Sequence, residues 1–539
     1  MGHYWGKGHS TFPPTNYFMN TSLLEWGFKD EAKERLGYYL SRYVKDDGTL
    51  NYYGPAVAEY GELLALVARC VQLGGDNNWF LSHLPKLDLI IDRLLAELKE
   101  SRKKYDPGSN QYGLLYGSPE ADTRKDKRFW FSGNIWCWRG LKEIGEVESG
   151  IGEKTANSML KQRGEELQRE AAIFRKHITA ALERSIRTNT AEPFLPPCTG
   201  YDGRPFEKMN ESTFSNYTNY RYWLEMLSGG LMDDRMNNAI IDYRRTHGGE
   251  LLGMTRFSSK VDNWPYCHFA WGLMDAKQRE QYQLGFYAHL AHHQTRGTFT
   301  AYEQVHITGV KDSDYSERTY SAHYCVPSQA VVPITLKWIL VWEDLDSEQV
   351  WLAEAAPQSW FDGGFKVEDA PTRWGEISLT ISPGGKTGQI ELAKTISNIK
   401  IHLYAPQLIS LSINGRHADF ARNGDYVEYD LSKELKDKTY NSNRIGPYSE
   451  NPRYWQYKDK PLLLLGGTKD DNLFQIPDIE EHLDLLASVG GNYIRNTMSS
   501  RSNQGFEVQP FKKLANSSYC GYNSRPRWRA GRGAPRCPV

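Results

Sequence analysis

Two kinds of hydrophobic pattern alternate along the chain from about residue 14 to about residue 355. Segments that are apolar and aromatic on nearly all sides alternate with charged segments that carry a single apolar stripe. The first kind is typical of buried helices, and the second is typical of helices with one side facing solvent. The pattern predicts twelve helices, at residues 13–27, 30–44, 56–73, 84–104, 129–144, 152–187, 217–229, 233–245, 264–274, 275–293, 326–342 and 346–355.

The connections between these segments differ in length. Those that lead from a charged helix into the next apolar helix are long, whereas the reverse connections are short. Because consecutive elements are usually neighbours in space, the helices pair into six hairpins that close into a double ring with the apolar helices inside. An open helical solenoid would show the same alternation, but the sequence has no fixed-period repeat and its loops are unequal. The long segments then share one rim, and they span residues 1–12, 45–55, 105–128, 188–216, 246–263 and 294–325.

After residue 356 the chain changes to short segments of alternating or β-branched residues. Turn signals such as Pro383-Gly384-Gly385 and Asn414-Gly415 separate them. We therefore expect a helical domain over residues 1–358 and a small antiparallel β-sandwich over residues 359–435. The sandwich should pack on the helical domain and should carry no catalytic residues.

A third unit is predicted over residues 449–515. It offers a strand at 462–467, a helix at 476–491 and a second strand at 492–499. A parallel α/β barrel needs about 200 residues or more, so we predict a truncated β-α-β fragment. The Gly/Arg-rich residues 516–539 are predicted to be disordered. The predicted fold class is mainly α: an (α/α)6 toroid followed by a β-sandwich and a truncated fragment.

The amino-acid composition of the chain argues against several classes of binding partner. The chain has 65 basic and 66 acidic residues, and its net charge of -1 argues against nucleic-acid and membrane-surface binding. No segment approaches 18 apolar residues, so no membrane span is predicted. The seven cysteines are scattered without metal-ligand spacing, so we predict no disulfide framework, no metal and no cofactor. Aromatic residues make up 13% of the chain, which suits either a large core or surfaces that stack on sugars.

Two of the long loops carry candidate catalytic acids. The third loop contains Glu120 and Asp122, and the sixth contains Glu303. The third and sixth hairpins of a six-fold ring are diametrically opposed, so these acids could face each other across a central cleft. A pair of opposed carboxylates performs glycoside hydrolysis, in which one protonates the leaving oxygen and the other activates water. Purely structural alternatives are a helix cap or an Arg124 pair for Glu120, and an Arg296 pair for Glu303.

The stretches GSPEADTRKDKRFWFSGNIWCWRGL (117–141) and GTFTAYEQV (297–305) resemble the six-hairpin, (α/α)6-toroid glycosidases, which include glucoamylases and α-L-rhamnosidases. The resemblance covers about residues 1–435. It implies a general acid at Glu120, with Asp122 as a rival, and a general base at Glu303. The chain lacks the Trp-Thr-Gly-Asp that follows the acid cluster in typical rhamnosidases, so rhamnose specificity does not follow.

The toroid resemblance also bears on substrate and location, and a separate resemblance concerns the last segment. The substrate is expected to be a carbohydrate, cleaved by an inverting hydrolase. The last segment, about 449–499, is similar to the opening of a (β/α)8 glycosidase barrel. A secreted or periplasmic protein is typical of the family, although the opening residues of this chain show no signal-peptide pattern. The sequence does not indicate an oligomeric state.

Other rim residues are candidates for sugar binding, and each of them also suits ordinary packing. They are Trp5, His9, Tyr53, Glu59, Asp262, Trp264 and His306. Two other functions remain open. A polysaccharide lyase on the same toroid would use a tyrosine or histidine base, for which Tyr302, His306 and Tyr324 are available. A carbohydrate-binding protein without turnover is the second alternative.

Overall fold

The computed structural model describes residues 12–50, 57–119, 126–294, 298–306, 319–320, 325–344, 347–431, 445–448, 451, 453–458, 460–467, 478–494, 511–513 and 519–521. The chain divides into two units, Met1–Leu435 and Lys436–Val539. The helices of the described residues, in chain order, are α1 (Pro13–Glu25), α2 (Lys29–Tyr43), α3 (Val57–Gly74), α4 (Asn77–Lys104), α5 (Phe131–Lys154), α6 (Ser158–Ser185), α7 (Thr213–Tyr217), α8 (Trp223–Ser228), α9 (Asp234–Thr246), α10 (Tyr266–Asp275), α11 (Arg279–His292), α12 (Val326–Leu340), α13 (Gln358–Gly363) and α14 (Ile479–Ser488). A π-helical turn, Thr218–Tyr222, joins α7 to α8.

The apolar helices of the first unit form a closed ring. Each of α1, α3, α5, α8, α10 and α12 packs against the next one in this order, and α12 packs against α1. Burial follows the sequence pattern, since 15 of the 18 residues of α3 are buried. Two inner helices approach very closely: an added Cβ at Gly61 would lie 2.1 Å from the backbone carbonyl of Trp136. The ring prediction is confirmed, and an open solenoid is excluded.

The charged helices α2, α4, α6, α9 and α11 lie between successive inner helices along the chain. Three of them begin at a side-chain cap supplied by the short connection. Asp76 accepts a hydrogen bond from the backbone N–H of Trp79 at 2.9 Å, and Asn157 and Asp233 cap α6 and α9 in the same way. Such caps satisfy backbone N–H groups that a helix start leaves unpaired, which allows these connections to be short.

The predicted twelfth helix, residues 346–355, is wrong. Its described part contains a strand, Gln349–Leu352, in which buried Val350 and Leu352 alternate with more accessible neighbours. This period of two belongs to a strand and not to a helix. The inner helix α12 therefore runs on into the β-sheets, and the described part of the toroid has six inner and five outer helices.

An antiparallel sheet that the sequence did not predict lies on the rim of the toroid. It joins the fifth and sixth long loops, which are far apart in sequence. Its strands follow the order β1-β2-β3-β4-β5. They are β1 (Glu250–Leu251), β2 (Met254–Phe257), β3 (Lys260–Asp262), β4 (Gln304–His306) and β5 (Thr319–Tyr320).

Two five-stranded sheets follow the ring, in the orders β13-β12-β10-β9-β8 and β14-β15-β11-β7-β6. Their buried residues belong to one apolar core. Each sheet contains one parallel pair, β10 with β12 and β7 with β11, so the expectation of purely antiparallel sheets is wrong. The strands are β6 (Val341–Glu343), β7 (Gln349–Leu352), β8 (Phe365–Thr372), β9 (Gly375–Ile381), β10 (Thr387–Leu392), β11 (Lys400–Tyr404), β12 (Ser410–Ile413), β13 (Arg416–Ala418), β14 (Ala421–Asn423) and β15 (Tyr426–Asp430).

The described part of the second unit contains no closed barrel. It has the predicted helix, α14, none of whose residues is buried. Residues 463–467 and 491–494 flank this helix outside any regular strand, and the backbone N–H of Asn492 donates to the carbonyl of Leu465 at 2.7 Å. The strands are β16 (Gly446–Pro447), β17 (Trp455–Tyr457), β18 (Lys460–Leu462), β19 (Phe511–Lys513) and β20 (Tyr519–Gly521). Apart from Tyr519–Gly521, the predicted disordered tail lies outside the described residues.

No helix among the described residues is both long enough and apolar enough to cross a membrane.

Candidate active site

The predicted site residues fall into two groups. Five of them lie outside the described residues: Trp5, His9, Tyr53, Glu120 and Asp122. The separation of Glu120 from Glu303 therefore stays a prediction. The others are described, and they are Glu59, Asp262, Trp264, Glu303 and His306.

Asp262 and Glu303 come together on the rim sheet. Asp262 ends β3 and lies opposite Gln304 of β4 in the strand register. The Gln304 amide donates to the Asp262 carboxylate at 2.7 Å, and its oxygen accepts from the Lys260 ammonium at 3.2 Å. The Glu303 backbone carbonyl accepts from the backbone N–H of Asn263 at 3.0 Å. Sheet pairing thus places two acids from different loops side by side.

The surroundings of Asp262 disfavour its charged form. Burial, and then the charge of Glu303, raise the pKa of the fully buried Asp262 well above its ordinary value. Burial lowers the pKa of Lys260, although both acids oppose that change. Asp262 therefore holds its proton more firmly than an ordinary aspartate.

Glu303 lies close to the start of the inner helix α12. Its charge contributes to raising the pKa of Cys325, the residue before this helix, although burial is the larger cause. The N-terminal end of a helix favours a nearby carboxylate. The Glu303 side chain is 9% exposed and is thus largely withdrawn from bulk water. Arg296, the predicted structural partner, lies outside the described residues.

A second group of charges lies deeper in the ring, and we call Glu59, Arg221 and Glu225 the axial cluster. Arg221, in the π-helical turn, donates to Glu59 of α3 at 3.1 Å and to Glu225 of α8 at 2.5 Å. The three side chains are almost completely buried. The Trp264 ring, two residues after Asp262, lies 4.8 Å from the Arg221 guanidinium, so it connects the rim acids to the axial cluster.

Sequence reasoning found Glu59 and Trp264 but missed Arg221 and Glu225. A signal was present, because an arginine and a glutamate four residues apart in an aromatic segment form a pair on one helix face. Burial raises the pKa of Glu225, while the charge of Arg221 opposes this. An ion pair within an apolar inner helix could therefore have been predicted to face the interior of the ring.

Glu62 and His268 extend the axial cluster. One donor atom from each of Glu62, Glu225 and His268 lies within 4.8 Å of the other two. The His268 Nδ1 atom is 2.7 Å from the hydroxyl of Ser228, and its Nε2 atom is 3.9 Å from Glu62. Burial, followed by the charges of Arg221 and Arg139, holds the pKa of His268 well below its ordinary value. The imidazole is therefore neutral, and these three residues have the donor types of a metal site.

A cavity of about 60 Å³ lies near the other end of the inner helices, away from the rim acids. Its walls include Trp271, Trp338 and charged residues such as Arg69 of α3 and Glu143 of α5. Arg69 there contacts Glu25 at 2.9 Å and Glu343 at 2.5 Å. Because these charges pair with each other, we interpret them as an ion-pair network that stabilises the fold around the cavity. The rim offers a carboxylate that is better suited to act on a substrate.

His306 lies at the end of β4, opposite Lys260, and it is partly exposed. Tyr302, just before Glu303, is also partly exposed. These two residues keep the lyase alternative open, while Tyr324 lies outside the described residues.

A scan of the sequence against protein-family models gave no match, and a search of curated proteins gave none either. Solved structures that resemble the fold include a GH78 family rhamnosidase of Bacillus sp. GL1, at 11% identity and a TM-score of 0.41, over 75% of this chain and 42% of that chain. A D-mannose isomerase matches at 10% identity and a TM-score of 0.37, over 61% of this chain and 87% of its own. A metal-independent α-mannosidase of Streptococcus pneumoniae matches at 9% identity and a TM-score of 0.39, over 60% of this chain and 84% of its own.

This chain thus spans less than half the length of the rhamnosidase. Likenesses this weak identify neither an activity nor a site residue of this chain. The closed ring of six inner helices itself places the chain among proteins with the six-hairpin toroid fold that residues 117–141 and 297–305 led us to expect.

Proposed function

We propose that the protein is a carbohydrate-active enzyme, and specifically an inverting glycoside hydrolase that acts on oligosaccharides or polysaccharide side chains. One observation carries the proposal: the rim of a closed helical ring holds two interacting carboxyl groups, Asp262 and Glu303, of which Asp262 is fully buried and Glu303 is 9% exposed. Trp264 follows Asp262 by two residues and packs against buried aromatic rings. Its ring centroid lies 5.6 Å from that of Phe18.

Glu303 is the proposed general base. A base in this position must be ionised and must hold a water molecule against the anomeric carbon. The raised pKa of Asp262 supports this role, because it disfavours a second negative charge beside Glu303. Glu120 of the third loop is the proposed general acid, with Asp122 as the alternative. In an inverting enzyme the two carboxyl groups should lie roughly 6.5–9.5 Å apart.

The test begins with a screen of aryl-glycosides and polysaccharides, with NMR spectroscopy to follow the anomer that is released first. Glu303→Gln should lower kcat by roughly 10²–10⁴, the usual contribution of a positioned acid or base. The same substitution should largely spare sugar binding because it preserves the shape of the side chain. Glu120→Gln should lower kcat less for aryl-glycosides with good leaving groups, since these need little protonation.

Asp262→Asn is the informative companion variant. An asparagine has the shape and the neutral charge of a protonated aspartate, so we expect less than about a tenfold loss of kcat, far below the effect of losing the base. Glu280→Gln, at an exposed position on the outer helix α11, serves as the control and should leave kcat unchanged. Full activity of Glu303→Gln, or retention of anomeric configuration, would contradict the proposal.

The lyase is the second candidate, because Tyr302 and His306 flank Glu303 and are both partly exposed. A lyase releases an unsaturated sugar that absorbs ultraviolet light, whereas a hydrolase does not. Appearance of such a product from a uronate polysaccharide, with loss of the signal in His306→Ala or Tyr302→Phe, would decide for the lyase.

A further inference from the structure

We propose that Glu62, Glu225 and His268 bind one divalent transition-metal ion, of the zinc class, on the axis of the helical ring. The three residues lie far apart in sequence, yet their donor atoms lie within 4.8 Å of one another. All three side chains are buried. One imidazole and two carboxylates suit a borderline ion such as Zn²⁺ better than Mg²⁺ or Ca²⁺, which prefer oxygen ligands alone.

The orientation of His268 matches that of a metal ligand. A metal-bound histidine usually has its other ring nitrogen held by a hydrogen-bonding partner, which fixes the ring. The Ser228 hydroxyl holds Nδ1 of His268 at 2.7 Å. The opposite nitrogen, Nε2, is thereby turned towards the Glu62 carboxylate, at 3.9 Å.

The scaffold of the proposed site is rigid. Its ligands come from three inner helices, α3, α8 and α10. In the ring, α8 and α10 are neighbours and α5 separates α3 from α8, so Glu62 meets Glu225 and His268 from a helix that does not adjoin theirs in the ring order. An ion here would tie α3 to α8 and α10, and we therefore expect it to stabilise the ring.

Modest side-chain movement completes the site. Ligands about 2.0–2.2 Å from a tetrahedral zinc lie roughly 3.4 Å from each other, which is somewhat closer than the widest separation observed. A void of about 10 Å³ lies beside His268 and Ser228, so the imidazole has room to shift. The Glu225 carboxylate accepts from the Arg221 Nε atom at 2.5 Å and is also hydrogen-bonded by the Ser132 side chain. An ion would share this carboxylate with the two donors.

The test uses the full-length protein after treatment with a chelator and desalting. Titration with ZnCl₂ in a calorimeter should show one equivalent bound, and the bound ion should raise the thermal midpoint. Co²⁺ as a spectroscopic substitute should give visible bands of a low-symmetry site. His268→Gln and Glu62→Gln should each weaken binding by at least tenfold. Ser228→Ala should weaken it by roughly 10–100-fold, as the loss of a ligand's supporting partner usually does.

His247→Gln is the matched control, because His247 is a partly buried histidine outside the ring axis that contacts Glu192. It should leave zinc affinity unchanged. The absence of zinc binding by the wild-type protein would overturn the proposal. Binding that survives unchanged in His268→Gln, Glu62→Gln and Ser228→Ala would overturn it as well. These measurements need no substrate, so they stand apart from the test of hydrolase activity.

Discussion

Glu148, on the outward side of the inner helix α5, is predicted to destabilise the protein at neutral and alkaline pH. Its side chain is fully buried, and neither carboxylate oxygen has a hydrogen-bond partner among the described residues. The Nε atom of Arg163 lies 3.6 Å from the Glu148 carboxylate, but its charge does not fully offset the effect of burial on the Glu148 pKa. Burial raises the pKa of Glu148 from 4.5 to about 7, with a smaller contribution from Asp88 in the same direction.

The raised pKa sets the sign of the effect. The folded state holds the proton more tightly than the unfolded chain, so this carboxyl group costs nothing at low pH, where both states are protonated. The cost grows as the pH rises from about 4.5 to about 7 and is constant above that range. At about 1.4 kcal/mol per pH unit, the full cost is about 3 kcal/mol.

Glu148→Gln removes the titration and keeps the shape of the side chain. We expect the gain in the free energy of unfolding to be about 2–3 kcal/mol larger at pH 8.5 than at pH 5. Urea titrations followed by tryptophan fluorescence at a series of pH values would measure it. Any cost of burying the amide is the same at every pH and cancels in this difference.

Glu153→Gln is the control, because Glu153 is exposed near the end of the same helix and pairs loosely with Lys161, at 3.8 Å. Surface pairs of this kind contribute about 0–1 kcal/mol, so little dependence on pH is expected. The reasoning about Glu148 fails if its variant gains equally at pH 5 and pH 8.5, or gains nothing at either.

Two further substitutions test the packing of the ring. Arg221→Met should destabilise the protein by roughly 3–5 kcal/mol, because it leaves two buried carboxylates without their cation. Thermal unfolding should show a lower midpoint for Arg221→Met than for the control Arg204→Met, which alters an exposed position. Equal midpoints for the two variants would refute the argument. Gly61→Ala should be severely destabilising, since its Cβ would lie 2.1 Å from the backbone of Trp136. Gly150→Ala in α5, where a Cβ meets nothing within 4 Å, should be neutral or stabilising by up to about 1 kcal/mol; similar losses in both variants would contradict the close-packing interpretation.

The sequence alone was sufficient for the ring. Nearly continuous apolar helices can be buried only if other helices surround them, and α3 shows this directly. The lengths of the connections then decide which ends of the helices share a rim. The same local reasoning failed at residues 346–355, where a short segment with mixed polarity fits either a helix or a strand. There the neighbouring strand β11 supplies the hydrogen bonds that decide for a strand.

The site depended on tertiary structure much more than the ring did. Glu303 and Asp262 were each recognisable as rim acids, but only the pairing of β3 with β4 brings them together. The same holds for Glu62, Glu225 and His268, which no spacing along the chain connects. Hydrophobic periodicity is a local property, and it determines which face of a helix is buried. Contacts between distant polar residues depend on how whole helices are placed around the axis, and this placement is decided only when the ring closes.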